Sequence, residues 1–239
     1  FDLVNGADLV PSRQISQSFL IGGGYDVVIS GDIVSISEFV GFGVSVGDLG
    51  TIVSTFVQKS IAQSSPLAGG SNTITVTLEA NLDLPDGSTV ILSGLTGTQT
   101  PSNASLPISY VSGSAVYGTE GVWNANGSLV LTVCCGLNTS SAVVISFEVV
   151  NGDVGQESPG AVLDFYIGGT VNYAVSGLSM PTSSATILGV VGGAGVLKIV
   201  VAGFDERRMG QSNPLVNGSN TFTVTLTTNV ELPDGSTVT

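Results

Sequence analysis

The chain repeats itself. The stretch Phe56–Ile91 returns as Phe204–Thr239, 148 positions later and without a gap, with about 21 of 36 positions identical. A second match sets Phe1-Asp2-Leu3-Val4-Asn5-Gly6 against Phe147-Glu148-Val149-Val150-Asn151-Gly152, at an offset of 146. The two-residue difference places a small insertion between about residues 169 and 198. Self-similarity at a fixed period means one structural unit used more than once. The chain therefore reads as the end of one repeat (1–65), a complete repeat (66–213) and the start of the next (214–239). Both ends fall inside a repeat and no signal peptide opens the chain, so the natural N-terminus is expected to lie before Phe1. That is the pattern of a segment from a long array, or of one subunit in a fibre.

Within the repeat, local patterning is that of strands. Thr73-Ile74-Thr75-Val76-Thr77-Leu78 alternates hydroxyl and aliphatic side chains, which aims Ile74, Val76 and Leu78 at one face. Leu84-Pro85-Asp86-Gly87 reads as a turn, and Ser88 to Leu92 as the returning strand. Further strands are expected at 129–133, 143–150, 162–167 and 171–175, separated by Gly, Ser and Asn turns. No segment carries a convincing 3.6-residue amphipathic pattern. The expected fold is all-β: tandem immunoglobulin-like β-sandwich repeats with a period of about 148 residues. That period is long for one simple sandwich. Either it is elaborated, or it holds two small sandwiches, 66–150 and 151–213. The apolar run Ala185–Leu197 is shorter than the ~20 residues a membrane helix needs and is broken by four glycines, so buried strands are the better reading.

Composition narrows function. Net charge is −13 with five basic residues, too few to displace counterions from a nucleic acid or to hold an anionic membrane surface. Histidine is absent, which removes Ser-His-Asp and Cys-His catalysis and His-based zinc sites. Charged residues make up only 10% while hydrophobic residues reach 42%, so Ser, Thr, Asn and Gly must supply the polar surface. Scarce lysine with abundant Ser, Thr and Gly suits a secreted or cell-surface protein. No enzyme activity and no cofactor are expected.

The string Phe204-x-x-Arg207-x-Met209-x-Gln211-Ser212-x-Pro214, followed by Asn220-Thr221-Phe222-Thr223-Val224-Thr225-Leu226, and its copy from Phe56, resemble a motif of long predicted cell-surface proteins of microalgae. Those proteins carry tandem immunoglobulin-like repeats, with a Leu-Thr-Gly element (here Leu95-Thr96-Gly97) and a Trp (here Trp123) before a Leu-x-Leu-x-Val strand. The resemblance implies an extracellular location and no known activity.

Four sequons, beginning at Asn103, Asn126, Asn138 and Asn217, fall in expected loops and are candidates for N-glycosylation. Gly69 stands where the later copy has Asn217, so this modification is not fixed in each repeat. Cys134 and Cys135 are adjacent, and neighbouring strand residues face opposite ways. A vicinal disulfide eased by Gly136, bridges to other chains, and two free thiols all remain open, the first favoured. Asp83 and Asp86, echoed by Glu231 and Asp234, flank the Pro-Asp-Gly turn; a solvated turn fits better than a calcium site, which needs six to eight oxygens. Lys59 and Arg207 are equivalent, which suggests a structural ion pair or a junction contact. The runs Gly22–Gly24 and Gly192–Gly195 lack the lysine and the strand–loop–helix setting of a phosphate loop and read as turns.

Sheet edges with unpaired backbone groups must be covered. The expectation is a filament or cell-surface fibre whose partners are copies of itself, with Phe1–Val4 or the 221–239 segment completing a sheet in an adjoining copy. The alternative is an adhesin or carbohydrate-binding stalk, displaying Tyr110, Tyr117, Trp123 and Tyr166 on one face.

Overall fold

The computed structural model describes residues 55–136, 141–168 and 174–238 with their side chains, and the backbone of 15–18, 26–29 and 173. The described residues are all-β, without a helix, and divide into two units, 1–54 and 55–239. In the first unit β1 (Ile15–Ser18) and β2 (Asp26–Ile29) pair antiparallel, Ile15 opposite Ile29. The rest of that unit, with Phe1–Val4 and the first glycine run, lies outside the described residues.

The second unit opens with β3 (Phe56–Gln63) and β4 (Ser71–Ala80). Next come β5 (Thr89–Ser93), β6 (Asn103–Pro107), β7 (Ser109–Ser112), β8 (Glu120–Asn124) and β9 (Ser128–Thr132). After these follow β10 (Val143–Val150), β11 (Val162–Ile167) and β12 (Tyr173–Ser179). They form a four-stranded sheet, β3-β4-β10-β7, and a six-stranded one, β12-β11-β5-β9-β8-β6, in which every ladder is antiparallel. Strands from both sides of residue 150 share the six-stranded sheet, and residues from both sides share a single core.

Period-2 alternation builds that core. Ile74, Val76, Leu78 and Ala80 point in from β4, while Val143, Ile145, Phe147 and Val149 point in from β10. From the other sheet come Val90, Leu92, Leu129, Leu131, Leu163 and Phe165. Two aromatic contacts tie the sheets together as a β-sandwich. Phe56 meets Phe165 edge-on with ring centroids 5.3 Å apart, and Trp123 meets Phe147 at 6.2 Å. The buried Trp123 indole donates to the Thr100 carbonyl at 3.1 Å, so its N–H is satisfied.

The glycine-rich run at 185–197 corrects an expectation. Val190, Ala194, Val196 and Leu197 are buried, but the run folds as successive turns rather than strands. Glycine is required there: Gly189 and Gly192 have φ of 74° and 69°, and a Cβ on Gly193 would lie 2.8 Å from the Val190 carbonyl oxygen. The run has a use in the fold. Ile61 N–H donates to the Pro181 carbonyl (3.0 Å) and Gln63 N–H to the Ala194 carbonyl (3.1 Å), so residues 181–200 cover the outer edge of β3.

A final hairpin, β13 (Phe204–Gln211) with β14 (Phe222–Thr228), stands as a separate two-stranded sheet. Its base is held to the sandwich, where Val230 is buried and the Glu231 N–H donates to the Leu188 carbonyl at 2.8 Å.

Candidate assembly surface

The β3–β4 hairpin ends in a buried amide cluster. Asn72 donates from Nδ2 to Gln63 Oε1 (2.9 Å) and to Asn151 Oδ1 (2.8 Å). Gln63 Nε2 donates to the carbonyls of Gly193 and Lys198, both at 2.8 Å, and Gln63 Oε1 accepts the Leu197 N–H at 2.7 Å. Asn151 Nδ2 donates to the carbonyls of Ser65 and Leu67, both at 2.9 Å. Three buried amides thus lock the hairpin, the residue after β10 and the edge-covering run together. Their groups are paired, which is the condition for polar groups to be tolerated in a core.

The β13–β14 hairpin copies this construction. Phe204 pairs with Thr228 and Gln211 with Phe222, as Phe56 pairs with Ala80 and Gln63 with Ile74, and each ladder shifts register after its first pair. Asn220 Nδ2 donates to Gln211 Oε1 at 2.9 Å, the same distance as between Asn72 and Gln63. Asn229 Oδ1 accepts the Gly203 N–H at 2.8 Å, as Asn81 Oδ1 accepts that of Thr55. The surroundings differ. Ile61, Ile74, Val76 and Leu78 are at most 1% exposed, whereas their counterparts Met209, Phe222, Val224 and Leu226 are 73%, 63%, 53% and 43% exposed. Among the described residues, nothing lies along β13 as 181–200 lies along β3, and β14 has no second partner as β4 has β10.

The other residues singled out from sequence are scattered. Asn103 sits at the start of β6, Asn126 in the β8–β9 turn and Asn217 in the β13–β14 loop, all exposed; Asn138 lies outside the described residues. Asn217 has φ of 60° where its counterpart Gly69 has 68°, a left-handed position that asparagine tolerates better than most residues. Cys134 and Cys135 are free and exposed after β9, and a hydrogen bond with Cys134 leads the effects that raise the Cys135 thiol. Asp83, Asp86, Glu231 and Asp234 are exposed, with Asp86 Oδ1 accepting the Gly136 N–H at 2.7 Å. Among the described residues no group of three or more Cys, Asp or Glu could hold a metal ion. Among the described residues the ion pairs are Lys198 with Glu157 (3.1 Å) and Arg208 with Glu206 (2.8 Å); the repeated cations Lys59 and Arg207 are in neither. Trp123 and Tyr117 are core residues, burial pushes the Tyr117 phenol far up, and Tyr110 accepts the Tyr117 N–H at 2.8 Å. Of the four aromatics, Tyr166 is the exposed one. No described helix is long and apolar enough to cross a membrane.

No family model matches the chain, and no curated protein matches it. Among solved structures it is similar to a chain of the RrgA Jo.In complex, with 8% identity and a TM-score of 0.31, covering 50% of this chain and 76% of that one. It is also similar to AvmM, described as catalysing macrocyclization in alchivemycin A biosynthesis. That match has 8% identity and a TM-score of 0.27, covering 55% of this chain and 92% of the other. Likenesses this distant carry no argument about what the chain does.

Proposed function

We propose that this is a non-catalytic, extracellular structural protein, built from tandem immunoglobulin-like sandwich modules that assemble into a filament or cell-surface fibre. The observation that carries the reading is the second hairpin. It repeats the register and side-chain hydrogen bonds of a hairpin whose apolar face is wholly buried, yet presents that face to solvent. Exposed apolar patches of this kind mark interaction surfaces. Covering it with further copies of the module is the economical solution, and it makes copies of the same protein the principal partners. The exposed sequons at Asn103, Asn126 and Asn217 suit a secreted, glycan-coated surface.

The rival, an adhesin or carbohydrate-binding stalk, loses support from the burial of Trp123 and Tyr117, which cannot form a sugar platform while they fill the core. Electron microscopy of the native material and of a chain lacking Thr221–Thr239 tests the proposal. Fibres are expected from the first and not from the second, with the central sandwich still folded by circular dichroism. Intact fibres after the deletion would overturn it, and so would a purely monomeric native protein.

A further inference from the structure

The sandwich itself shows what covers a hairpin of this kind. β10 runs antiparallel beside β4, with Val143 opposite Leu78, Ile145 opposite Val76, Phe147 opposite Ile74 and Val149 opposite Asn72. Shifted by the repeat period, the same partners on β14 are Leu226, Val224, Phe222 and Asn220. The first three are the exposed apolar residues of that strand, and the fourth is an asparagine already hydrogen-bonded to Gln211. In the sandwich, Asn72 gives one bond to Gln63 and another to Asn151, the residue just past β10. Asn220 makes the first of these bonds in the same geometry. The hairpin is therefore set up for one particular kind of strand, in one register.

We infer that the open edge of β14 and its apolar face take up an antiparallel strand of β10 chemistry, supplied by a further repeat of this protein: apolar at alternate positions, with asparagine one residue beyond its end. The inference rests on the structural reading above and specifies its contact. Backbone hydrogen bonds to β14 hold the added strand, and alternate side chains read the face, as in other strand-addition complexes. The asparagine sets the register. A strand displaced by one residue would bring its polar side chains onto Phe222, Val224 and Leu226 and turn its asparagine away from Asn220.

The test uses the full chain and a fluorescein-labelled peptide of sequence Ser141–Gly152, followed by fluorescence anisotropy. Saturable binding to one site is expected. Val224→Asp in the chain should abolish it; because Val224 is exposed, that variant should keep the circular dichroism of the parent. Replacing Asn151 by Leu in the peptide should weaken binding about tenfold, the effect of leaving a buried amide without its partner. Absence of binding overturns the inference, and so does binding that Val224→Asp leaves unchanged, which would place the peptide on another sheet edge. A chain that dimerises through its hairpin faces, with the dimer indifferent to the peptide, overturns it as well. The broader reading is judged separately. Native fibres with no peptide binding would sink the strand inference alone, and peptide binding by a protein monomeric in its native material would sink the fibre reading alone.

Discussion

The hairpins β3–β4 and β13–β14 have nearly the same local chemistry and different surroundings. Both alternate threonine with apolar residues, both carry a Gln–Asn bond at 2.9 Å, and both lead into a Pro-Asp-Gly turn closed by a serine N–H, 3.0 Å from the proline carbonyl. Among the described residues, only the first has a second sheet packed on its apolar face, with β10 along one edge and residues 181–200 along the other. Local sequence is therefore enough to define the ladder and its register, while neighbours decide what the ladder is worth energetically. An isolated two-stranded hairpin is marginal in water. The same residues become a core when further strands arrive.

Paired substitutions break the comparison most sharply. Val76→Asp should cost about 4 kcal/mol or more, because it buries an unpaired charge in the centre of the sandwich. Val224→Asp should change the sandwich's stability by no more than about 0.5 kcal/mol, as exposed substitutions do. Urea denaturation followed by tryptophan fluorescence reads both, since Trp123 lies in the core beside Phe147. Equal losses at the two sites would mean the hairpins are not in different environments. A smaller contrast is expected four residues back along each strand. Asn72→Ala takes its partner from the buried Asn151 Oδ1 and one of two donors from Gln63 Oε1, and should cost about 2–3 kcal/mol, whereas Asn220→Ala should cost under about 1 kcal/mol. The amide cluster is not what fastens the hairpin to the module if the two losses match.

Much of this was legible in the sequence where alternation is strict. β10 and β11 run over the residues expected for them, and β4, β5 and β9 fall within a few residues. β3 was not legible because a bulge after Phe56 and an inward-facing Gln63 break its period, leaving Phe56, Ile61 and Gln63 as its fully buried residues. The short edge strands β6 and β7 escaped for another reason, since β6 buries a single residue, Leu106, and β7 none fully. The candidate surface was half visible. The repeat pointed to 221–239, but only the exposure of Met209, Phe222, Val224 and Leu226 distinguishes an open copy from a closed one. The amide cluster was missed although its three residues recur as Gln211, Asn220 and Asn5, because polar residues in a loop and at strand ends carry no periodic signal.

The smallest expected effect concerns the loop between the two strands of each hairpin. Gly69 and Asn217 occupy the same left-handed position at φ of 68° and 60°. If the loops are truly equivalent, Gly69→Asn should cost no more than about 1 kcal/mol, since asparagine is the common non-glycine occupant of that region. Gly69→Val should cost about 2 kcal/mol or more, because a β-branched residue is a poor fit to positive φ. The added Cβ would also approach Asp153 Oδ1 to 3.1 Å, a contact the exposed carboxylate can relax in the asparagine variant. Thermal unfolding of the two variants decides the matter. A loss for asparagine as large as that for valine would show that the sandwich holds its loop in a way the open hairpin does not. Matched tolerance would leave the covering strands as the whole difference between the two copies.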